Sequence, residues 1–198
     1  AIVARELKKP CVVGTKNADI LKGDNSFTIT NSLLGYDGND TFIVSKGSDY
    51  IDGGNGINTM DYSSVNMLDG GNRVVVDLGI EKALDNGYQN ATVAVEDILK
   101  NIQRVIGTSA DDTLYGNSYA NVFIGGAGND TIDAREGNDT IYGISGNNKL
   151  YGGTENDTIY GGTGNDTLDG GSGDDILDGR ARDASGVLVN TTDGNNTY

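Results

Sequence analysis

Between Gly107 and Asp178 the chain repeats every nine residues without a break in frame. The pattern is clearest in GGAGNDTID, GGTGNDTLD and GGSGDDILD, which read G-G-x-G-x-D-x-U-x with U a large apolar residue. U is filled in all eight units, by Leu114, Phe123, Ile132, Ile141, Leu150, Ile159, Leu168 and Leu177. The sixth position is Asp or Asn throughout: Asp112, Asn121, Asp130, Asp139, Asn148, Asp157, Asp166 and Asp175. A short fixed period makes each unit bury its apolar residue against neighbouring units, so the chain must stack as a solenoid.

The chemistry of one unit says what kind of solenoid. Its last three residues, such as Thr131-Ile132-Asp133, alternate out-in-out, which is strand periodicity with one side chain inward. Its first six are rich in Gly, Asn and Asp, which tolerate positive φ and turn tightly. Turn and short strand, taken twice, give one coil of a flattened solenoid in about 18 residues, with two thin parallel sheets and the U residues between them. The loops stack along both edges, where the carbonyls of glycine-rich turns face carboxylates of neighbouring coils. A set of carboxylate and carbonyl oxygens suits Ca²⁺ rather than Zn²⁺.

These nonapeptides resemble the RTX (repeats-in-toxin), hemolysin-type calcium-binding family. The resemblance implies an all-β fold, a right-handed parallel β-roll with Ca²⁺ ions in the loops along both edges. It also implies a ligand rule. An ion sits between a loop and the loop two units later, taking the carbonyls of positions two and four and the position-six carboxylate from the first. From the second it takes the carbonyls of positions one and three and the position-six Asp. On this chain one such set is Arg135, Gly137 and Asp139 with Gly152, Thr154 and Asp157. Another is Gly153, Glu155 and Asp157 with Gly170, Ser172 and Asp175. The same positions on other loops add Gly126, Gly128, Gly143, Gly161, Thr163 and Asp166, with Asp112 and Asp130, and Asp40 and Asp49 in an earlier block. Asn121 and Asn148 carry no charge, and Tyr119 and Glu155 replace the position-four glycine, so sites touching them are expected to be weaker or absent.

Upstream the pattern is less regular. Residues 1–13 read as a lead that caps the first coil. From Gly14 a first repeat block runs to residue 61, beginning with GTKNADILK, which puts Asp19 at position six and Leu21 at U. Residues 23–34 are irregular, with Phe27 and Ile29 apolar, and three clearer units follow from Gly35, carrying Asp40, Asp49 and Asn58 above Phe42, Ile51 and Met60. Residues 62–106 break the frame as a β-rich connector with turn signals at Asp69-Gly70-Gly71 and Asn86-Gly87. It resembles connectors of hemolysin-type proteins and is expected to form wider coils of the same roll. After the second block (107–178) the tail, 179–198, holds one short apolar run, Val187 to Val189, and lacks an evident secretion signal. With no initiator Met and no signal-peptide core at the start, the chain is expected to be a single elongated module cut from a longer protein.

Composition narrows the function. Net charge is −15, with 13 acidic residues between Gly107 and Asp178 against only Arg135 and Lys149. Such a chain repels nucleic acid and anionic membranes. With 31 glycines it has the makings of a disordered polymer until calcium neutralises the loops. Having no histidine, it can form no HExxH zinc site, no Ser-His-Asp triad and no Cys-His dyad, and it contains neither G-x-S-x-G nor GK[ST]. The aspartates at position nine, Asp133, Asp169 and Asp178, are read as solvated. Cys11 is the lone cysteine, so no internal disulfide exists, and no apolar run reaches transmembrane length.

The sequence therefore points to a non-catalytic, extracellular calcium-binding module, secreted by a type I system and folding when it meets calcium. Its parent is expected to be a surface-layer or adhesin-like protein that self-associates. The alternative is an accessory module that binds cell-surface polysaccharide for a polysaccharide-acting enzyme, with Tyr142 and Tyr160 as a glycan strip, although such a row more often packs across strands. An ice-binding roll needs an unbroken outward rank of Thr or Asn, which Lys149 and Ile176 interrupt.

Overall fold

The computed structural model describes residues 2–4, 11–23, 30–65, 71–88 and 96–180. Every helix or strand among them is a strand, and no helix among the described residues is long and apolar enough to cross a membrane. The chain forms two compact units, residues 1–105 and 106–198.

The first unit contains β1 (Ile2–Ala4), β2 (Cys11–Val13), β3 (Ile20–Lys22), β4 (Ser32–Leu34), β5 (Thr41–Ile43), β6 (Tyr50–Asp52), β7 (Thr59–Asp61), β8 (Gly71–Asp77), β9 (Lys82–Tyr88), β10 (Asp97–Lys100) and β11 (Arg104–Ile106). One sheet runs β1-β2-β4-β6-β10-β9-β8 and the other β11-β7-β5-β3. Successive repeat strands thus alternate between two sheets, and each pairs in parallel with the strand one coil away. A three-residue strand has room for one inward side chain. Leu21, Phe42 and Met60 stack in one sheet, and Leu33, Ile51 and Leu99 in the other, all buried. At the end of its sheet β1 pairs antiparallel with β2, a short reversed strand of the kind that blunts a sheet edge. Cys11, in β2, is a free, half-buried thiol.

The irregular stretches hide coil positions. Ser32–Leu34 is a strand with Leu33 buried, although glycine punctuation is missing before it; Phe27 and Ile29 lie outside the described residues. In the connector, β8 and β9 form an antiparallel hairpin. Its reversal falls at residues 78–81, where the Asp77 carboxylate accepts the Gly79 N–H at 2.9 Å. The expected Asn86-Gly87 turn is instead strand, because Asn86 pairs with Val74 within the hairpin. Of the other turn signal, Asp69 and Gly70 lie outside the described residues and Gly71 opens β8. Beyond the hairpin the roll resumes: β10 pairs in parallel with β6, and Leu99 and Val105 are buried.

The second unit is the more regular. Its strands are β12 (Thr113–Tyr115), β13 (Val122–Gly126), β14 (Thr131–Asp133), β15 (Thr140–Ile144), β16 (Lys149–Thr154), β17 (Thr158–Tyr160), β18 (Thr167–Ser172) and β19 (Ile176–Asp178). They run β12-β14-β16-β18 and β13-β15-β17-β19 in two parallel sheets. Leu114, Phe123, Ile132, Ile141, Leu150, Ile159 and Leu168 are buried to within 1% exposure, and Leu177 on the last described strand is half-buried. The outward residues pair in rows, and Tyr142 stacks on Tyr160 with ring centroids 5.0 Å apart. That contact is cross-strand packing.

A roll one residue thick has no second layer to collapse into a gap. Ile141→Ala and Ile159→Ala are each expected to cost about 2–5 kcal/mol, and Thr140→Ala, beside Ile141 but facing outward, very little. Thermal melts in saturating calcium check this, and equal losses at Thr140 and Ile141 would contradict the strand facing.

Candidate metal centre

The strand register brings the position-six side chains into ladders, one along each edge of each unit. In the second unit the Asp112 N–H donates to Asp130 Oδ1 (2.9 Å), that of Asp130 to Asn148 Oδ1 (2.9 Å) and that of Asn148 to Asp166 Oδ1 (2.8 Å). On the opposite edge Asn121 donates to Asp139 (2.6 Å), Asp139 to Asp157 (2.9 Å) and Asp157 to Asp175 (2.9 Å). The first unit repeats the motif from Asp19 to Asp40 to Asn58, and from Asn31 to Asp49 to Asp97. One side-chain oxygen per residue is thereby fixed by the backbone of the preceding coil.

The second oxygen is the chemically telling one. Oδ2 of Asp40, Asp130, Asp139 and Asp157 is buried with no hydrogen-bond partner, an arrangement that is costly unless a cation or proton meets it. The Oδ2 atoms of Asp40, Asp130 and Asp157 lie in cradles that glycine leaves open. A Cβ on Gly152 would lie 2.3 Å from Asp157 Oδ2 and 2.7 Å from the Gly170 carbonyl. One on Gly35 would lie 2.3 Å from Asp40 Oδ2 and 2.5 Å from the Gly53 carbonyl. One on Gly125 would lie 2.3 Å from Asp130 Oδ2 and 3.1 Å from the Gly143 carbonyl. At Gly107 the same construction meets Asp112 Oδ2 at 2.5 Å and the Gly125 carbonyl at 2.3 Å. The unit that begins at Ala134 differs, since its first residue carries its own methyl. At Gly152, Gly35 and Gly125 the cradle thus brings a carboxylate oxygen and a carbonyl oxygen toward one point with no donor to the carboxylate, whereas at Gly107 the Thr108 N–H donates to Asp112 Oδ2 at 2.6 Å. Among the described residues no three acidic, cysteine or histidine side chains gather around one point, so the donor set is a carboxylate supplemented by backbone carbonyls. That set fits Ca²⁺, which accepts flexible shells of oxygen.

The electrostatics agree. Burial pushes the Asp130 carboxyl up to about 7, against the pull of the Asp112 N–H and with the help of the Asp112 and Asp111 charges. Asp139 is likewise pushed up to about 7 by burial, opposed by the Asn121 N–H and helped by Asp157 and Glu155. Asp40 and Asp157 are raised for the same leading reason. A carboxyl raised in the folded state binds a proton there that the unfolded chain, with its ordinary value of 3.8, has already lost. Stability of the metal-free fold is therefore highest at low pH and falls as pH rises from about 4 through about 7. In chelator the chain is expected to show more sheet by circular dichroism at pH 5.5 than at pH 8. The opposite order would mean that these carboxylates are not buried as charges.

Each remaining candidate has a defined place. Arg135 (φ 75°) offers its carbonyl to the Thr154 N–H at 2.7 Å, while its guanidinium donates to the Gly116 carbonyl at 2.8 Å and lies over the Tyr115 ring. The Gly126 carbonyl accepts from Ser145 (3.1 Å) and that of Thr163 from Gly146 (2.9 Å). These carbonyls tie loop to loop, and that of Gly126 also takes the Ser145 hydroxyl at 3.5 Å. A Cβ on Gly153 (φ 118°) would lie 1.8 Å from the Arg135 oxygen, so the coils approach there as closely as only glycine allows. Glu155 (φ 74°) turns its carboxylate to the Gly137 N–H (2.8 Å) and the Thr154 hydroxyl (2.7 Å), both of which lower its pKa. Gly161 and Gly128 stand at tight crossings with Asp166 and Ala110, and Ser172 ends β18 opposite Thr154.

Reading for ligands alone misses a second set of side chains. Position five carries its own ladder, running the opposite way. Asn129 Oδ1 accepts the Asn147 N–H, Asn147 Oδ1 the Asn165 N–H, Asn138 Oδ1 the Asn156 N–H and Asn156 Oδ1 the Asp174 N–H, at 2.8–3.1 Å. The signal is present in the sequence, for position five is Asn or Asp in every second-block unit except at Ala120. Asn31, Asp97 and Gln103 are missed for another reason: they stand outside the nine-residue frame, yet Gln103 Oε1 accepts the Asn58 N–H at 2.9 Å as a position-six residue would.

Comparison with known proteins agrees with this geometry. The family model described as RTX calcium-binding nonapeptide repeat (4 copies) matches residues 29–60, 106–141 and 142–179, just over half of the chain. A model for the mobile domain of PEP-utilising enzymes matches residues 1–35 alone. No curated protein matches the chain. The matched stretches are those whose position-six carboxylates meet backbone carbonyls in glycine-lined cradles, and the chain belongs to the RTX calcium-binding nonapeptide repeat family, as a Ca²⁺-binding β-roll.

Proposed function

We propose that this β-roll is a non-catalytic module of a larger secreted bacterial protein of surface-layer or adhesin-like type, delivered unfolded by a type I system and folded by calcium outside the cell. The whole chain forms one such module, with a lead (1–13), two repeat blocks (14–61 and 107–178), the connector between them and a tail. The ligand sets are those of the repeat rule, centred on Asp139, Asp157 and Asp175 along one edge and on Asp112, Asp130 and Asp166 along the other. The observation that carries this reading is the pairing of a buried, donor-free carboxylate oxygen with a backbone carbonyl at Asp40, Asp130 and Asp157. Bound calcium supplies the positive charge those oxygens need. The chain's own residues supply the spacing, because glycine at position one keeps the cradle open. Calorimetric calcium titration tests the binding, and light scattering during it tests the surface-layer reading. A calcium-loaded chain that stays monomeric at high concentration would refute self-association.

An open groove in the first unit favours a second reading, polysaccharide binding. It has a volume of about 670 Å³ and is lined by Lys16, Tyr36, Asp37, Asn55 and Asn101 among others. Tyr36 is 53% exposed and held at a φ of 72°, where a bulky side chain is uncommon. An exposed aromatic face beside amide and carboxylate groups suits a sugar ring. Retention on a glycan array that disappears in Tyr36→Ala would favour an accessory module. No retention in calcium would dismiss it.

A further inference from the structure

We propose that Asn58 and Asn148 are cation substitutes, positions at which the chain closes its own calcium cradle with a side-chain N–H. The inference rests on the calcium reading above and concerns which loops are excluded from it. Both asparagines stand in the position-six ladders. Asn58 Oδ1 accepts the Asp40 N–H at 3.0 Å and Asn148 Oδ1 the Asp130 N–H at 2.9 Å, as an aspartate Oδ1 does elsewhere. Because that N–H needs an acceptor, the orientation of each amide is fixed, and Nδ2 must face the cradle.

There it meets a carbonyl in the place where aspartate loops bring one toward Oδ2. Asn58 Nδ2 donates to the Asn101 carbonyl at 3.0 Å, and Asn148 Nδ2 to the Gly161 carbonyl at 3.4 Å. The cradle geometry is otherwise unchanged. A Cβ on Gly53 would lie 2.4 Å from both Asn58 Nδ2 and the Asn101 oxygen. One on Gly143 would lie 2.6 Å from Asn148 Nδ2 and 2.3 Å from the Gly161 oxygen. In the Asp40, Asp130 and Asp157 loops two oxygens converge and repel until a cation joins them. In the two asparagine loops a donor meets an acceptor, and both are satisfied. An incoming cation would meet the partial positive charge of the amide and would have to break that bond. Each unit therefore carries an amide-to-carbonyl closure that needs no calcium, with Asp40 before Asn58 on its ladder, and Asp130 and Asp166 on either side of Asn148.

The test counts ions and watches the amides. Native mass spectrometry of the whole chain in calcium should show one more bound ion in Asn58→Asp and one more in Asn148→Asp. Asn147→Asp, which adds the same charge at exposed position five, should add none. The reciprocal Asp157→Asn should lose an ion while keeping its sheet signal in saturating calcium. In the calcium-loaded wild type, NMR should find the Asn58 and Asn148 side-chain NH₂ protons exchanging at least tenfold more slowly than those of Asn147, a measurement that needs no variant to fold. Unchanged ion counts in both Asn→Asp variants, an equal gain in Asn147→Asp, or equally fast amide exchange would overturn the proposal. A wild type that binds no calcium would instead overturn the calcium reading itself.

Discussion

Removing calcium is expected to unfold the sheets of this chain, and restoring roughly millimolar calcium to rebuild them in one cooperative step. The reason lies in a few buried atoms. Oδ2 of Asp40, Asp130, Asp139 and Asp157 is buried without a partner, and an uncompensated buried charge costs roughly several kcal/mol even after relaxation. Four such groups together match or exceed the net stability of a typical domain, about 5–15 kcal/mol. The U side chains and loop ladders cannot offset this alone in a roll one side chain thick. Calcium binds the ordered loops and not the dispersed chain, so its binding free energy becomes folding free energy. Magnesium should substitute poorly, because it demands a small octahedral shell and dehydrates reluctantly. Circular dichroism in chelator, in calcium and in magnesium decides the matter, and a full sheet spectrum in chelator at neutral pH would sink the prediction.

The second block was legible from the sequence almost in full, and the reason is periodicity. When Ile132, Leu150 and Leu168 recur at one spacing, strand, register and inward face follow together, and the observed pairing Ile132↔Leu150↔Leu168 is that spacing laid out in space. Where the spacing fails, so does the reading. Leu33 and Leu99 are core residues as surely as Ile51, which pairs with both, but no glycine-rich turn of standard length announces them. The hairpin β8–β9 reverses at Asp77 to Lys82 through a side-chain cap rather than at Asn86-Gly87, because pairing across the hairpin outweighs a local turn preference. At the candidate site the position-six aspartates were readable because calcium chemistry demands oxygen. What the sequence did not disclose is how the two oxygens of Asp40, Asp130 and Asp157 divide their work, Oδ1 for the backbone and Oδ2 for the cradle. That division depends on the coils' relative placement, as does the distinction between an Asn that is merely uncharged and one, like Asn58, whose amide meets a carbonyl.

The two edges of the second unit are expected to differ in calcium affinity, and Asp157 should show it. Asp139, Asp157 and Asp175 follow one another along one edge, whereas Asn148 separates Asp130 from Asp166 on the other. Affinity in oxygen-lined loops rises with the number of charged ligands. Under i, i+2 pairing of loops, Asp157 serves two sites of two carboxylates each, whereas Asp166 is paired with Asn148, whose amide closes its own cradle. Like charges also meet along this edge: that of Asp157 helps to raise Asp139, and that of Asp175 helps to raise Asp157, in each case behind burial. Asp157→Asn is therefore expected to shift the calcium midpoint of folding upward by several-fold more than Asp166→Asn, although both lie in near-consensus units. Asn148→Asp should shift it the other way in saturating conditions, by opening to calcium the cradle that the Asn148 amide closes, while making the metal-free chain harder to order. Calcium titrations of the three variants, followed by circular dichroism, give the midpoints directly. Equal shifts for Asp157→Asn and Asp166→Asn would mean that each ion is held within a single loop, because only pairing between loops gives the two aspartates different numbers of charged partners.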